Sequence, residues 1–228
     1  MSAFIAIEGL DGSGKSTQID LLTNYLHAHN HKTQFIHFPR LNEGVYGELI
    51  AHFLRGEFGD VNHVHPQLVA TLFAEDRKDF APVLRQWLEA EAVVLVDRYV
   101  LSNIAFQCAK LKDDAAKTHL REWINRFEYQ HNAIPQPDFS IYLDVPFSFI
   151  EASLEQRRKR KDRAYLQDKD DIHERDYTLQ RAVQREYEKL CTLDTSIHKI
   201  ACVDGNHQMR SIESTHEEIV ALIRQKIT

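Results

Sequence analysis

The segment Gly9-Leu10-Asp11-Gly12-Ser13-Gly14-Lys15-Ser16-Thr17 contains the spacing GxxxxGK[ST]. Its residue types set its chemistry. Glycines let successive backbone N–H groups approach phosphate oxygens, the lysine reaches the β- and γ-phosphates of a triphosphate, and the next hydroxyl holds Mg2+. Gly9 to Thr17 are therefore expected to cradle the phosphates of ATP, with Lys15 as the neutralising cation and Ser16 as a metal ligand. Asp97 is a second signal: it ends the apolar run Val93-Val94-Leu95-Val96, where a carboxylate can orient a metal-bound water beside such a loop. A third is Arg157-Arg158-Lys159-Arg160-Lys161 followed by Arg163, a concentration of cations in a chain of net charge -6.

These groups need a scaffold, and the hydrophobic pattern supplies one. Short apolar runs at Ala3 to Ile7, Thr33 to Phe38, Val93 to Val96, Phe139 to Leu143 and Lys199 to Val203 read as five buried strands. Helical length and spacing mark Lys15 to His29, Pro66 to Glu89, Leu101 to Lys110, Ala115 to His131, Phe147 to Arg160, Glu174 to Leu193 and Ser211 to Lys226. Strands separated by helices require crossover connections, so the expected class is α/β, a doubly wound five-stranded parallel sheet with flanking helices. Ligands in such sheets gather at the carboxyl ends of the strands. Phe38-Pro39-Arg40 and Asp97-Arg98-Tyr99 follow the second and third strands there, and the stretch from 157 to 176 is a highly charged insertion between two helices. No repeat or linker is visible, so residues 1 to 228 read as one domain.

Composition narrows the class further. A net charge of -6 argues against a dedicated nucleic-acid binder, so any polyanion site must be local. No apolar run approaches the length needed to span a bilayer, and residues 1 to 8 lack a basic leader segment. Cys108, Cys191 and Cys202 are odd in number and widely spaced, which suits reduced thiols of a cytoplasmic protein. His27, His29 and His31 read as surface residues at the end of the first helix.

The ordered set Gly-Leu-Asp-Gly-Ser-Gly-Lys-Ser-Thr, Phe38-Pro39-Arg40, Leu72-Phe73-Ala74-Glu75-Asp76-Arg77, Asp97-Arg98-Tyr99 and Ser102-Asn103-Ile104-Ala105-Phe106 resembles the thymidylate kinase family from residue 4 to about residue 205. The resemblance implies a P-loop NTPase-type fold with a helical lid, transfer of phosphate from ATP to dTMP with Mg2+, and a homodimer. It places Asp11 at the sugar end of dTMP and at the metal-water network, and Arg40 and Arg98 on the acceptor phosphate, where a guanidinium fork binds two oxygens at once. Phe73 and Arg77, four apart and so on one helix face, correspond to residues that stack on thymine and donate to its carbonyl. Asn103 corresponds to a residue near the base N3, Phe106 to an aromatic that crowds the sugar 2′ carbon, and Phe38 lies in the acceptor-site loop.

Three features of the sequence bear on mechanism. The P-loop holds Gly12 and Ser13 and no arginine, so the resemblance shifts the catalytic cation to the lid, to Arg157, Arg160 or Arg163. Asp171 to Asp176 resembles the lid's acidic end, with Glu174 expected near the metal, but the usual aromatic or arginine between the acids is missing, which leaves Ile172 and His173 doubtful as ligands. Leu41 also stands where some members carry a phosphate-binding tyrosine. Competing expectations are a kinase of the same architecture acting on another nucleotide or a deoxynucleoside, and a P-loop switch, against which the lack of an Asn-Lys-x-Asp element counts.

Overall fold

The computed structural model describes residues 2–60, 63–158, 166 and 171–227. Five strands, β1 (Ala3–Glu8), β2 (Thr33–His37), β3 (Val93–Asp97), β4 (Phe139–Asp144) and β5 (Ile197–Ala201), form one sheet in the order β2-β3-β1-β4-β5. Every pairing is parallel. Position in the sheet explains the sequence of each strand. Every residue of β1 and β3 is buried, as expected where both faces are covered, whereas burial is incomplete along the edge strands β2 and β5.

The helices are α1 (Lys15–Ala28), α2 (Gly44–Leu54), α3 (Pro66–Glu89), α4 (Val100–Cys108), α5 (Asp114–Asn125), α6 (Phe147–Arg158), α7 (Ile172–Arg175), α8 (Tyr177–Leu193) and α9 (Ile212–Ile227). Helices α1 and α9 pack together, while α3, α4, α5 and α8 form a second assembly, the two layers a doubly wound sheet requires. A π-helical stretch, Arg126–His131, continues α5.

Three elements differ from the expectation. Strand β5 lies two residues earlier, because it is an edge strand whose Ile197 and Ile200 face inward while Lys199 reaches Asp144 at 2.8 Å. The helix expected from Glu174 to Leu193 breaks at Asp176, whose Oδ1 accepts from the N–H groups of Thr178 and Leu179 and so caps α8 instead of continuing α7. Helix α2 sits against the segment before it so closely that a Cβ on Gly47 would fall 2.1 Å from the carbonyl oxygen of Arg40. Only glycine fits there, and the contact fixes the Phe38-Pro39-Arg40 turn, which contains a cis Phe38–Pro39 bond.

Among the described residues no helix is long and apolar enough to cross a membrane. Cys108, Cys191 and Cys202 are all free, and burial pushes their thiols up to about 12, 11 and 11, so they are unreactive filler.

Candidate active site

Strands β1 and β3 are neighbours, and the loops leaving their carboxyl ends meet where the chain changes its winding direction. The loop after β1 holds Gly12 at φ 81 and Gly14 at φ 84, backbone that a side chain disfavours, and a Cβ on Gly12 would also strike Ser153 at 2.6 Å. Helix α1 starts immediately after Gly14, so its free N–H groups face the loop. Lys15 donates to the carbonyls of Gly9 and Leu10 at 3.2 and 2.9 Å and lies 4.0 Å from Asp97 Oδ1. Leu10 and Ser13 are buried beneath the turn, while Ser16 and Thr17 expose the first turn of α1.

Asp97 is buried at the end of β3. Burial would raise its carboxyl, but Lys15, then His37 and Arg98, hold it below the usual carboxylate range. His37 Nδ1 donates to Oδ2 at 3.1 Å, whereas Oδ1 is buried with no hydrogen-bond partner. Such an oxygen suits a hydrated hard cation. The described residues contain no group of three or more acidic, His or Cys side chains able to hold an ion.

Beside the loop lies a cleft open to solvent and lined by both polar and apolar side chains. Asp11, Phe38, Phe73, Arg77, Arg98, Asn103, Phe106 and Glu174 all line it. Arg98 ties it to the loop: Nη2 donates to Asp11 Oδ1 at 2.7 Å and Nη1 to Ser102 Oγ at 3.3 Å, with the guanidinium 5.3 Å from the Phe106 ring centre. Burial alone would lower this guanidinium, yet Asp11 foremost among its neighbours keeps it raised and charged. Its backbone is left-handed, φ 68, clamped by a hydrogen bond from its own N–H to the Ile7 carbonyl at 3.0 Å.

Arg40 stands elsewhere. It does not line the cleft; its Nε donates to Asp76 Oδ1 at 2.9 Å and its Nη2 to Asp79 Oδ2 at 2.7 Å. Arg77 is buried and gives Nε and Nη2 to Glu128, both at 2.6 Å. Leu41 lines the cleft as an apolar residue. Arg160 and Arg163 lie outside the described residues, as does the side chain of Arg157 at the end of α6.

Several residues at the site carry no signal in the sequence. Glu8, wholly buried, accepts from the Tyr99 N–H at 2.8 Å, Ser102 Oγ at 2.6 Å and Tyr187 OH at 2.9 Å, and so supports the turn that presents Arg98. Glu128, His37 and Gln107 are others. Of the two residues between the lid acids, His173 lines the cleft and Ile172 is buried in the core. Burial drives the His173 imidazole well below its ordinary range, with nearby Lys110 adding to the effect, so it is neutral; its ring centre lies 5.1 Å from that of Phe106. Asp171 caps α7 through the N–H groups of His173 and Glu174, and burial with Glu174 and Asp11 nearby pushes its carboxyl up to about 7.

A glycine-rich loop at a helix N-terminus, joined through one ion pair to a second concave site, defines a P-loop kinase of the nucleotide-phosphorylating class, with donor and acceptor on either side of Asp11. Comparison with known proteins makes this specific. A family model described as thymidylate kinase matches residues 7–219. A thymidylate kinase of Mycobacterium tuberculosis is 34% identical over 82% of this chain and 84% of its own, and a probable thymidylate kinase of Pyrococcus abyssi is 30% identical over 98% and 97%. The chain belongs to the thymidylate kinase family. Its fold also superposes on a thymidylate kinase structure from Candida albicans with a TM-score of 0.71 at 24% identity, covering 98% of this chain and 92% of that one.

Proposed function

We propose that the chain transfers the γ-phosphoryl group of ATP to dTMP, giving dTDP and ADP, with the cleft beside the P-loop as the dTMP site. The observation that carries this reading is the 2.7 Å pair between Asp11 and Arg98, which makes one loop serve both nucleotides. Gly9 to Thr17 cradle the triphosphate, and Lys15 neutralises its β- and γ-oxygens. Arg98 holds the acceptor phosphate and Asp11 faces the sugar. Phe73 stacks on thymine, Arg77 and Asn103 meet its polar edge, and Phe38 and Phe106 shape the sugar pocket. Arg40, committed to two carboxylates, braces the Phe38-Pro39 turn, so the acceptor phosphate rests on Arg98.

Phosphoryl transfer needs alignment and charge neutralisation more than covalent chemistry. Ser16 directly and Asp97 through water would hold Mg2+, with Glu174 on the acceptor side; bound there, the ion neutralises charge on the transferred group. An arginine of the lid segment, Arg157, Arg160 or Arg163, completes that neutralisation. We also propose a cytoplasmic homodimer. The free thiols support the compartment, and the exposed Val45 and Leu68 on α2 and α3 support an interface.

The test is an acceptor panel with ATP and Mg2+. dTMP is expected to be phosphorylated faster than dUMP, dCMP and the ribose analogue of TMP; equal or slower turnover of dTMP would overturn the assignment.

A further inference from the structure

Glu128 has no sequence signal, yet it lies behind the wall of the cleft on the π-helical stretch that continues α5, a departure from α-helix often found at functional sites. It is completely buried, and the three hydrogen bonds its carboxylate accepts all come from residues that line the cleft: Arg77 Nε to Oε2 and Arg77 Nη2 to Oε1, both at 2.6 Å, and Asn103 Nδ2 to Oε1 at 2.9 Å. Asn103 Nδ2 also donates to the Ala70 carbonyl at 3.0 Å. Both amide protons of Asn103 are therefore spent on acceptors, which fixes which way the amide points. Its Oδ1 is buried with no partner. Of the Arg77 nitrogens, Nε and Nη2 are held by Glu128, and Nη1 has no protein acceptor among the described residues.

The wall thus offers two unspent groups, a donor from Arg77 on α3 and an acceptor from Asn103 on α4. A 4-oxo pyrimidine shows the complement, an acceptor at O4 and a donor at N3–H. A 4-amino pyrimidine shows the reverse, and both contacts would then oppose like with like.

We propose that Glu128 is a positioning residue that determines base specificity: by clamping Arg77 and the Asn103 amide in one orientation, it makes the cleft accept a 4-oxo pyrimidine nucleotide and reject a 4-amino one. The proposal rests on the dTMP reading above. If Glu128 could not accept from both partners, the Asn103 amide would be free to turn over and meet N3 of cytosine with a donor. A site built around buried hydrogen bonds discriminates strongly because the wrong ligand leaves them unpaired.

The experiment compares kcat/KM for dTMP and dCMP, with ATP and Mg2+, in the wild-type enzyme, Glu128→Gln and the double variant Glu128→Gln with Asn103→Asp. Glu128→Gln is expected to lower the dTMP-to-dCMP ratio about 100-fold, mainly through a lower dCMP KM and a higher dTMP KM. The double variant exchanges carboxyl and carboxamide across the pair, presents an acceptor whichever way residue 103 turns, and is expected to restore rejection of dCMP. A folded Glu128→Gln with an unchanged ratio overturns the proposal, as does a double variant no more selective than the single one. Should the single variant not fold, NMR of the 15N-labelled wild-type enzyme decides. The Asn103 side-chain amide protons are expected to be protected from solvent exchange with and without dTMP, and free exchange overturns the clamp. A wild-type enzyme inactive on dTMP would instead sink the functional reading itself.

Discussion

Replacing Glu8 by alanine is expected to lower stability by about 3 kcal/mol and to raise the KM for dTMP about 10-fold. Glu8 accepts from three groups, the Tyr99 N–H and the hydroxyls of Ser102 and Tyr187. In the variant those two hydroxyls, 2.7 Å apart, still satisfy one proton between them. That leaves the Tyr99 N–H and one hydroxyl buried without an acceptor, at about 1 to 3 kcal/mol each and so about 2 to 6 kcal/mol for the two. Relief from burying the carboxyl group offsets part of the loss, which places the net effect near the lower half of that range. The same change reaches the site, because the Tyr99 N–H bond to Glu8 follows the left-handed Arg98 directly and Ser102 holds Arg98 Nη1. Releasing both lets Arg98 relax, and one weakened charge-assisted contact to phosphate corresponds to roughly a factor of ten. Urea denaturation gives the first quantity and initial rates against dTMP the second. A shift below about 1 kcal/mol with unchanged KM would refute this account of Glu8.

Two further outcomes follow. Lys15→Ala should lower turnover about a thousandfold or more while leaving the circular dichroism spectrum unchanged, since Lys15 contacts loop carbonyls rather than the apolar core; a folded variant with near-normal turnover would remove the P-loop from the mechanism. Burial pushes the Lys110 ammonium down to about 7, so between that value and its ordinary 10.5 the unfolded chain binds the extra proton and wild-type stability should rise with pH. Lys110→Met should flatten that rise between about pH 7 and 10 and stabilise the protein most below pH 7, and parallel stability curves for the two proteins would show that Lys110 is not so perturbed.

Legibility followed burial. Strands β1 and β3 are central, so their apolar runs coincide with their paired lengths, whereas β5 at the edge buries only Ile197 and Ile200, and the apolar Cys202-Val203 drew the expected strand past its end. Phe73 and Arg77 were accessible through the family resemblance, with their spacing placing them on one helix face, and they do share the cleft. Glu8 and Glu128 were not. A glutamate closing a strand or sitting in an amphipathic helix looks like any solvated carboxylate, and only the fold shows that Ser102, Tyr187, Arg77 and Asn103 converge on these two. The break at Asp176 was equally hidden, because an aspartate inside a helical pattern reads as polar surface until its carboxylate is seen accepting from Thr178 and Leu179.

Arg40 and Arg98 show why residue type alone could not rank two phosphate ligands. Both follow strand ends, both carry the same fork, and both are charged. Their neighbours separate them. Arg40 contacts three carboxylates, Asp76, Asp79 and Glu43, with Nε and Nη2 in short bonds to the first two. To seize an acceptor phosphate it would forfeit two charge-assisted bonds of roughly 1.5 to 3 kcal/mol each and uncover Asp76, which is fully buried. Among the described residues Arg98 hydrogen-bonds one carboxylate, Asp11, which sits on the triphosphate loop and lines the cleft. A phosphate approaching Arg98 need displace at most one such bond. Asp11, part exposed at the loop, retains access to solvent, whereas Asp76 would be left charged in the interior. The larger penalty falls on Arg40, so of the two arginines the sequence offered, the acceptor phosphate is expected at Arg98.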